Sequence, residues 1–67
     1  MDKIDIINKA IAEQDLIFVD GVLVYPVSLE GKHLYYQNLT NLYNYGECSG
    51  EHRNVDNVEV KSYEEGV

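Results

Sequence analysis

Leu16-Ile17-Phe18-Val19-Asp20-Gly21-Val22-Leu23-Val24-Tyr25-Pro26-Val27 is the stretch on which the fold turns. It reads as two apolar strands joined by Asp20-Gly21. A type I′ turn needs positive φ at both central residues, and Asp followed by Gly tolerates this. Register follows from that loop: Val19 faces Val22, Phe18 faces Leu23, Ile17 faces Val24 and Leu16 faces Tyr25. Side chains alternate along a strand. One face therefore carries Ile17, Val19, Val22 and Val24, and the other carries Leu16, Phe18, Leu23, Tyr25 and Val27. A hairpin with one wet face would alternate with polar residues. Both faces here are apolar, so each needs a cover, from within the chain or from another molecule. Pro26 has no amide hydrogen, which places its strand at an edge or requires a bulge.

One cover lies just upstream. Asp2 to about Gln14 reads as an amphipathic helix, with Asp2 as N-cap and Asp5 at the positive end of the dipole. Ile4, Ile7 and Ile11 form one stripe at helical spacing, suited to one face of the hairpin. Ile6 falls off that stripe and is expected at the margin or against a partner. Downstream, Glu30-Gly31-Lys32 reads as a second turn, and His33 to Leu39 as a third strand. In that strand Leu34 and Tyr36 share one side, while His33, Tyr35 and Gln37 share the other. Thr40 to Tyr45 fits a strand or irregular chain better than a helical turn, because Asn and Tyr are modest helix formers. Gly46 to Asn54 has the composition of a loop. Asp56 to Tyr63 reads as a strand with Val58 and Val60 on one side and Glu59 and Lys61 on the other. Glu64 to Val67 is expected to fray. The fold class is α+β: an N-terminal helix on a small twisted antiparallel sheet of three to five strands. An SH3-like, partly closed small barrel is the alternative, since closure would also cover the second face.

Sixty-seven residues make one domain. A chain this short buries only about 60% of its unfolded surface, so its stability is marginal. Cys48 is the only cysteine, so an internal disulfide is excluded. No apolar run is long enough to cross a bilayer, and the first residues do not form a signal peptide. A free thiol without an export signal points to a reducing cytoplasm, of a host cell if the chain is phage-encoded. Asn38-Leu39-Thr40 matches a glycosylation acceptor, which carries no weight without secretion.

The net charge is −7. That charge opposes direct binding of nucleic acid or an anionic membrane, which needs clustered Lys and Arg. It suits a basic protein partner steered in by charge. The plainer account of the charge is solubility.

Chemistry-bearing residues are few. Cys48 and His52 sit four apart with Glu47 and Glu51 beside them, and His33 lies elsewhere. A structural zinc site needs four ligands and usually paired motifs, so this single loose pair argues against a metal. As a thiol nucleophile with a His33 or His52 base, Cys48 would need an electropositive setting, and Glu47 and Glu51 oppose one. The expectation is no catalytic residue, no metal and no cofactor, with a small metal or thiol enzyme using Cys48, His52 and His33 as the last alternative.

Tyrosine carries more. Six of the seven aromatic residues are tyrosine. Tyrosine joins apolar area to a polar tip and is enriched at interface hot spots. Any single tyrosine is explained by strand packing. Tyr35, Tyr43 and Tyr45 together, beside the carboxylates Glu47, Glu51, Asp56 and Glu59, are read as a partner-binding surface. From Glu47 onward there are six acids against Arg53 and Lys61. The function expected is a non-enzymatic acidic protein-binding module that blocks a basic, nucleic-acid-binding site on its partner. Small acidic inhibitors of phages and mobile elements, anti-CRISPR and anti-restriction proteins among them, offer an analogy of size and charge only. A homodimeric assembly protein, burying the second hairpin face against a copy of itself, is the competing reading.

Overall fold

The computed structural model describes residues 2–39 and 49–67. Helix α1 (Lys3–Glu13) is followed by β1 (Ile17–Val19), β2 (Val22–Glu30), β3 (His33–Asn38), β4 (Ser49–Asn54), a 3-10 turn (Val55–Asn57), β5 (Val60–Ser62) and a short helix α2 (Tyr63–Gly66). The strands form one antiparallel sheet in the order β4-β3-β2-β1-β5. The outer strands β4 and β5 do not meet, so the sheet is open and the SH3-like barrel is not formed. No helix among the described residues is long and apolar enough to cross a membrane.

The central hairpin has the register its turn dictates: Ile17 opposite Val24, Phe18 opposite Leu23 and Val19 opposite Val22. Asp20 and Gly21 have φ of 51° and 79°, as a type I′ turn requires. The turn is also tied to the end of the chain. The Asp20 amide donates to the Glu59 carbonyl at 2.9 Å, and the Glu59 amide donates to Asp20 Oδ1 at 2.8 Å. These two bonds place β5 beside β1, where Lys61 pairs with Phe18. Pro26 lies beyond the end of the β1 ladder, which stops at Val24, so its strand is paired there on the β3 side alone. It pairs with Tyr36, and the register then slips, leaving Val27 as an extra residue before Ser28 pairs with Tyr35. An unpaired side and an adjacent bulge are both settings in which a strand tolerates proline.

One face of the sheet holds the core. Ile17, Val19, Val24, Leu34, Tyr36, Val58 and Val60 are buried there against Ile7 and Ala10 of α1. The isoleucine stripe is rotated from its expected position: Ile6 is buried at 5% exposure, whereas Ile4 and Ile11 are only partly covered. The helix packs against β5 and β2, so the Ile6 side of the stripe faces apolar sheet. Lys3 fastens the start of the helix, donating from Nζ to the carbonyls of Val55 and Val58 at 3.1 and 2.7 Å.

Three other expectations are corrected. Ser49–Asn54, placed in a loop by composition, is strand β4, paired along its length with β3. Its Ser-Gly-Glu-His-Arg-Asn sequence has no apolar period because it lies at the sheet edge, where pairing rather than burial sets its conformation. The strand expected from Asp56 begins only at Val60, because the Asn54 side chain accepts the Asp56 amide at 2.9 Å and closes the 3-10 turn. The C-terminal residues form helix α2, capped by Ser62, whose hydroxyl accepts the Glu65 amide. Tyr63 of α2 stacks on Phe18 with ring centres 6.1 Å apart. Thr40 to Cys48 lie outside the described residues, and with them the expected strand at Thr40 to Tyr45.

Candidate functional site: the open face of the sheet

The face opposite α1 can be built row by row from the register, since directly paired residues point the same way. Lys61, Phe18 and Leu23 form the first row. Tyr25, Gln37 and Gly50 form the second. Ser28, Tyr35 and His52 form the third, and Glu30, His33 and Asn54 the fourth. No second layer covers these rows among the described residues, apart from the contact of α2 with Phe18. Phe18, Leu23 and Tyr25 are half-buried, while Val27 and Tyr35 are 51% and 37% exposed.

The sequence placed His33 and Tyr35 on one side of a strand and grouped His52 with His33 as an alternative, and the sheet brings all three rings together. His33 and His52 lie 5.4 Å apart between centroids, with Tyr35 at 6.1 Å from the first and 5.7 Å from the second. Beside this trio lies a wide hollow of about 300 Å³, lined by Val27, Tyr35, Tyr36, Gln37, Gly50, Glu51 and His52. Two backbone features make it. The bulge displaces Val27 out of the ladder, and Gly50 brings no side chain to the row it shares with Gln37 and Tyr25. Sequence reasoning passed over Gly50. Its signal was a glycine inside a paired segment, which is visible only once that segment is known to be a strand.

The acidic residues expected at the site separate. Glu51 pairs with Tyr36, so its carboxylate lies on the helix side of the sheet, where it accepts from Asn38 Nδ2 at 2.9 Å. Asp56 sits in the 3-10 turn and pairs with Lys32 at 2.9 Å. The hydrogen bond and the charge of Asp56 raise the Lys32 ammonium above its ordinary value. Glu59 pairs with Lys61 at 3.3 Å. Neither Asp56 nor Glu59 borders the hollow. Tyr43, Tyr45, Glu47 and Cys48 lie outside the described residues. Among the described residues no three His, Cys, Asp or Glu side chains come together in an arrangement that could hold a metal.

The opposite side of the same strands is polar where the helix stops. Arg53 reaches Asp20 at 3.5 Å. Burial pushes the Tyr36 hydroxyl above its usual range, Glu51 adds to the rise, and Arg53 opposes it. A second concavity, of about 230 Å³, lies between α1 and α2 and gathers Glu13, Asp15, Glu64 and Glu65 around Lys9, Ile6 and Leu16. The folding of the C-terminus onto the sheet brings these acids together from both ends of the chain.

The chain matches no family model, no curated protein and no solved structure.

Proposed function

We propose that this chain is a non-enzymatic protein-binding module that docks through its open sheet face onto a basic protein surface. The single observation that carries this reading is the face left uncovered among the described residues, with Leu23, Tyr25, Val27 and Tyr35 along it. Apolar and tyrosine side chains arranged on a sheet are the material of interface centres. Charge supports a basic partner. Lys32, Arg53 and Lys61 are each paired with a carboxylate, and Lys3 is bonded to backbone carbonyls. With these cations held by neighbours, the net charge of −7 is carried by the remaining carboxylates. The natural target of such a surface is a nucleic-acid-binding protein whose basic site it blocks, as small acidic inhibitors from phages and mobile elements do.

The test begins with affinity purification of the partner from native cells. Association rates of the purified pair are then measured at low and high salt, with Leu23→Asp and Tyr35→Ala as variants. The proposal expects association to slow as salt rises, and dissociation to accelerate in both variants. A rate indifferent to salt removes charge steering, and unchanged dissociation in Leu23→Asp removes the face. The apolar face also fits a second copy of the chain. Sedimentation at high micromolar concentration decides this, because a dimer abolished by Leu23→Asp would make the face a self-interface.

A further inference from the structure

We infer that β4 is a self-pairing edge: two copies of the chain join through this strand, antiparallel about a twofold axis at His52, into one continuous sheet. This goes beyond the docking reading above and uses a different part of the molecule. The two edges of the sheet are built differently. β5 is three residues long and carries the exposed Lys61, and α1 packs against it. Short length, lysine and a covering helix each close an edge to other strands. β4 is six residues long, pairs with β3 without a register shift, and contains neither proline nor lysine.

One bond fixes which backbone groups β4 turns outward. The Val55 amide donates to the Lys32 carbonyl at 2.9 Å, one step past the pairing of His33 with Asn54. Bonded and non-bonded pairs alternate along an antiparallel ladder. Arg53, Glu51 and Ser49 therefore exchange bonds with β3. The amides and carbonyls of Gly50, His52 and Asn54 point outward, with no strand beside them among the described residues. An extended segment of any protein can bond to such an edge. The side chains select a second copy. With His52 opposite His52 of the other copy, Gly50 stands opposite Asn54, and the outward groups meet in about six backbone bonds. The same register sets Glu51 of each copy opposite Arg53 of the other, and directly opposite residues point to one face. Both side chains are exposed, and Arg53 reaches its own Asp20 at 3.5 Å. Sliding the strands by two residues would set Glu51 opposite Glu51, or Arg53 opposite Arg53, which is destabilising. The charge order of β4 thus matches its own reverse in one register.

The test is sedimentation equilibrium of the full chain, with hydrogen exchange followed amide by amide. The chain should pass from monomer to dimer as its concentration rises to high micromolar. Exchange at Gly50, His52 and Asn54 should slow several-fold in step, while Glu51 and Arg53, already bonded to β3, change little. His52→Pro removes an outward amide and spares the bonds to β3, so it should give a monomer with the Leu34 resonances in place. Arg53→Glu and Glu51→Arg each set like charges opposite one another and should each be monomeric. Their equimolar mixture should form a heterodimer, because every opposed pair is then of opposite sign. A chain that stays monomeric, protection of the three outward amides that ignores concentration, an undiminished dimer in His52→Pro, or a mixture that stays monomeric would overturn the self-pairing edge. Leu23→Asp should leave the edge dimer intact. A dimer abolished by Leu23→Asp would belong to the open face and would also overturn the edge, whereas the docking reading keeps its own kinetic test.

Discussion

The two sides of the sheet are made from the same strands and have opposite fates. On the helix side Ile17, Val24 and Leu34 are at 1% exposure or less, packed on Ile7 at 0%. On the other side Phe18, Leu23 and Tyr25 are half-buried and Val27 and Tyr35 are open, although their side chains are as apolar or larger. Residue type therefore does not set burial here. What differs is supply: among the described residues the long helix α1 lies on one side, and only the four-residue α2 reaches the other, at Phe18. Small domains cannot cover both faces of a sheet, because their surface is large for their volume. The side that receives the helix makes the fold, and the side that does not is available for contact.

The largest way to break this contrast is to truncate the helix side. Ile17→Ala should cost about 2–5 kcal/mol, read from urea unfolding, because a fully buried side chain leaves a cavity. A cost near zero would mean that the two faces are alike. Next comes the place where, among the described residues, the open side is covered. A Cβ on Gly66 would collide with the Phe18 ring. Gly66→Ala should therefore cost about 1–3 kcal/mol or detach α2, the latter read as loss of the Phe18–Tyr63 ring contact by NMR.

Asp20 links the hairpin to β5 through the Glu59 amide and has positive φ. Asp20→Ala should lower the unfolding free energy by about 1–2 kcal/mol, and Asp20→Asn, which keeps the acceptor and tolerates the left-handed region, by less. The two variants compared by urea midpoint separate the bond from the ion pair to Arg53.

A smaller effect belongs to alkaline pH. Tyr36 and Lys32 both have folded values raised above the unfolded ones, with ordinary values of 10.0 and 10.5. Each group then holds its proton more tightly in the folded chain. Stability should be level through neutral pH and fall as pH climbs past these ordinary values, toward the folded ones. Tyr36→Phe should flatten part of that fall in urea midpoints taken on either side of pH 10. A steeper fall in the variant would assign the effect elsewhere. The smallest expected change is Tyr35→Ala on the open side, within about 0.5 kcal/mol of the parent. A cost comparable to Ile17→Ala would show that the open side is part of the core, and would undercut the docking proposal.

Much of this was legible from residues close together in the chain. Asp20-Gly21 set the hairpin register, because turn dihedrals are decided by the two residues that adopt them. The alternation at Leu34 and Tyr36, and at Val58 and Val60, assigned the correct side to each. The site was less legible. Tyr35 and Glu51 were singled out for a partner, but Glu51 faces the helix side with Tyr36, and Asp56 and Glu59 are held elsewhere by Lys32 and Lys61.

The amino-acid order by itself determined the N-terminal helix, the central hairpin and the excess of negative charge, since each depends on short-range dihedral preference or on composition. Only the tertiary structure decided that Ser49–Asn54 is a strand, that Ile6 faces inward, and that the C-terminal turn packs on Phe18. Those outcomes depend on partners far along the chain: backbone pairing with β3, the line of the helix across β5 and β2, and a ring left exposed by the sheet. A polar edge strand leaves no periodic trace, because its hydrogen bonds come from its neighbour's backbone and not from its own side chains.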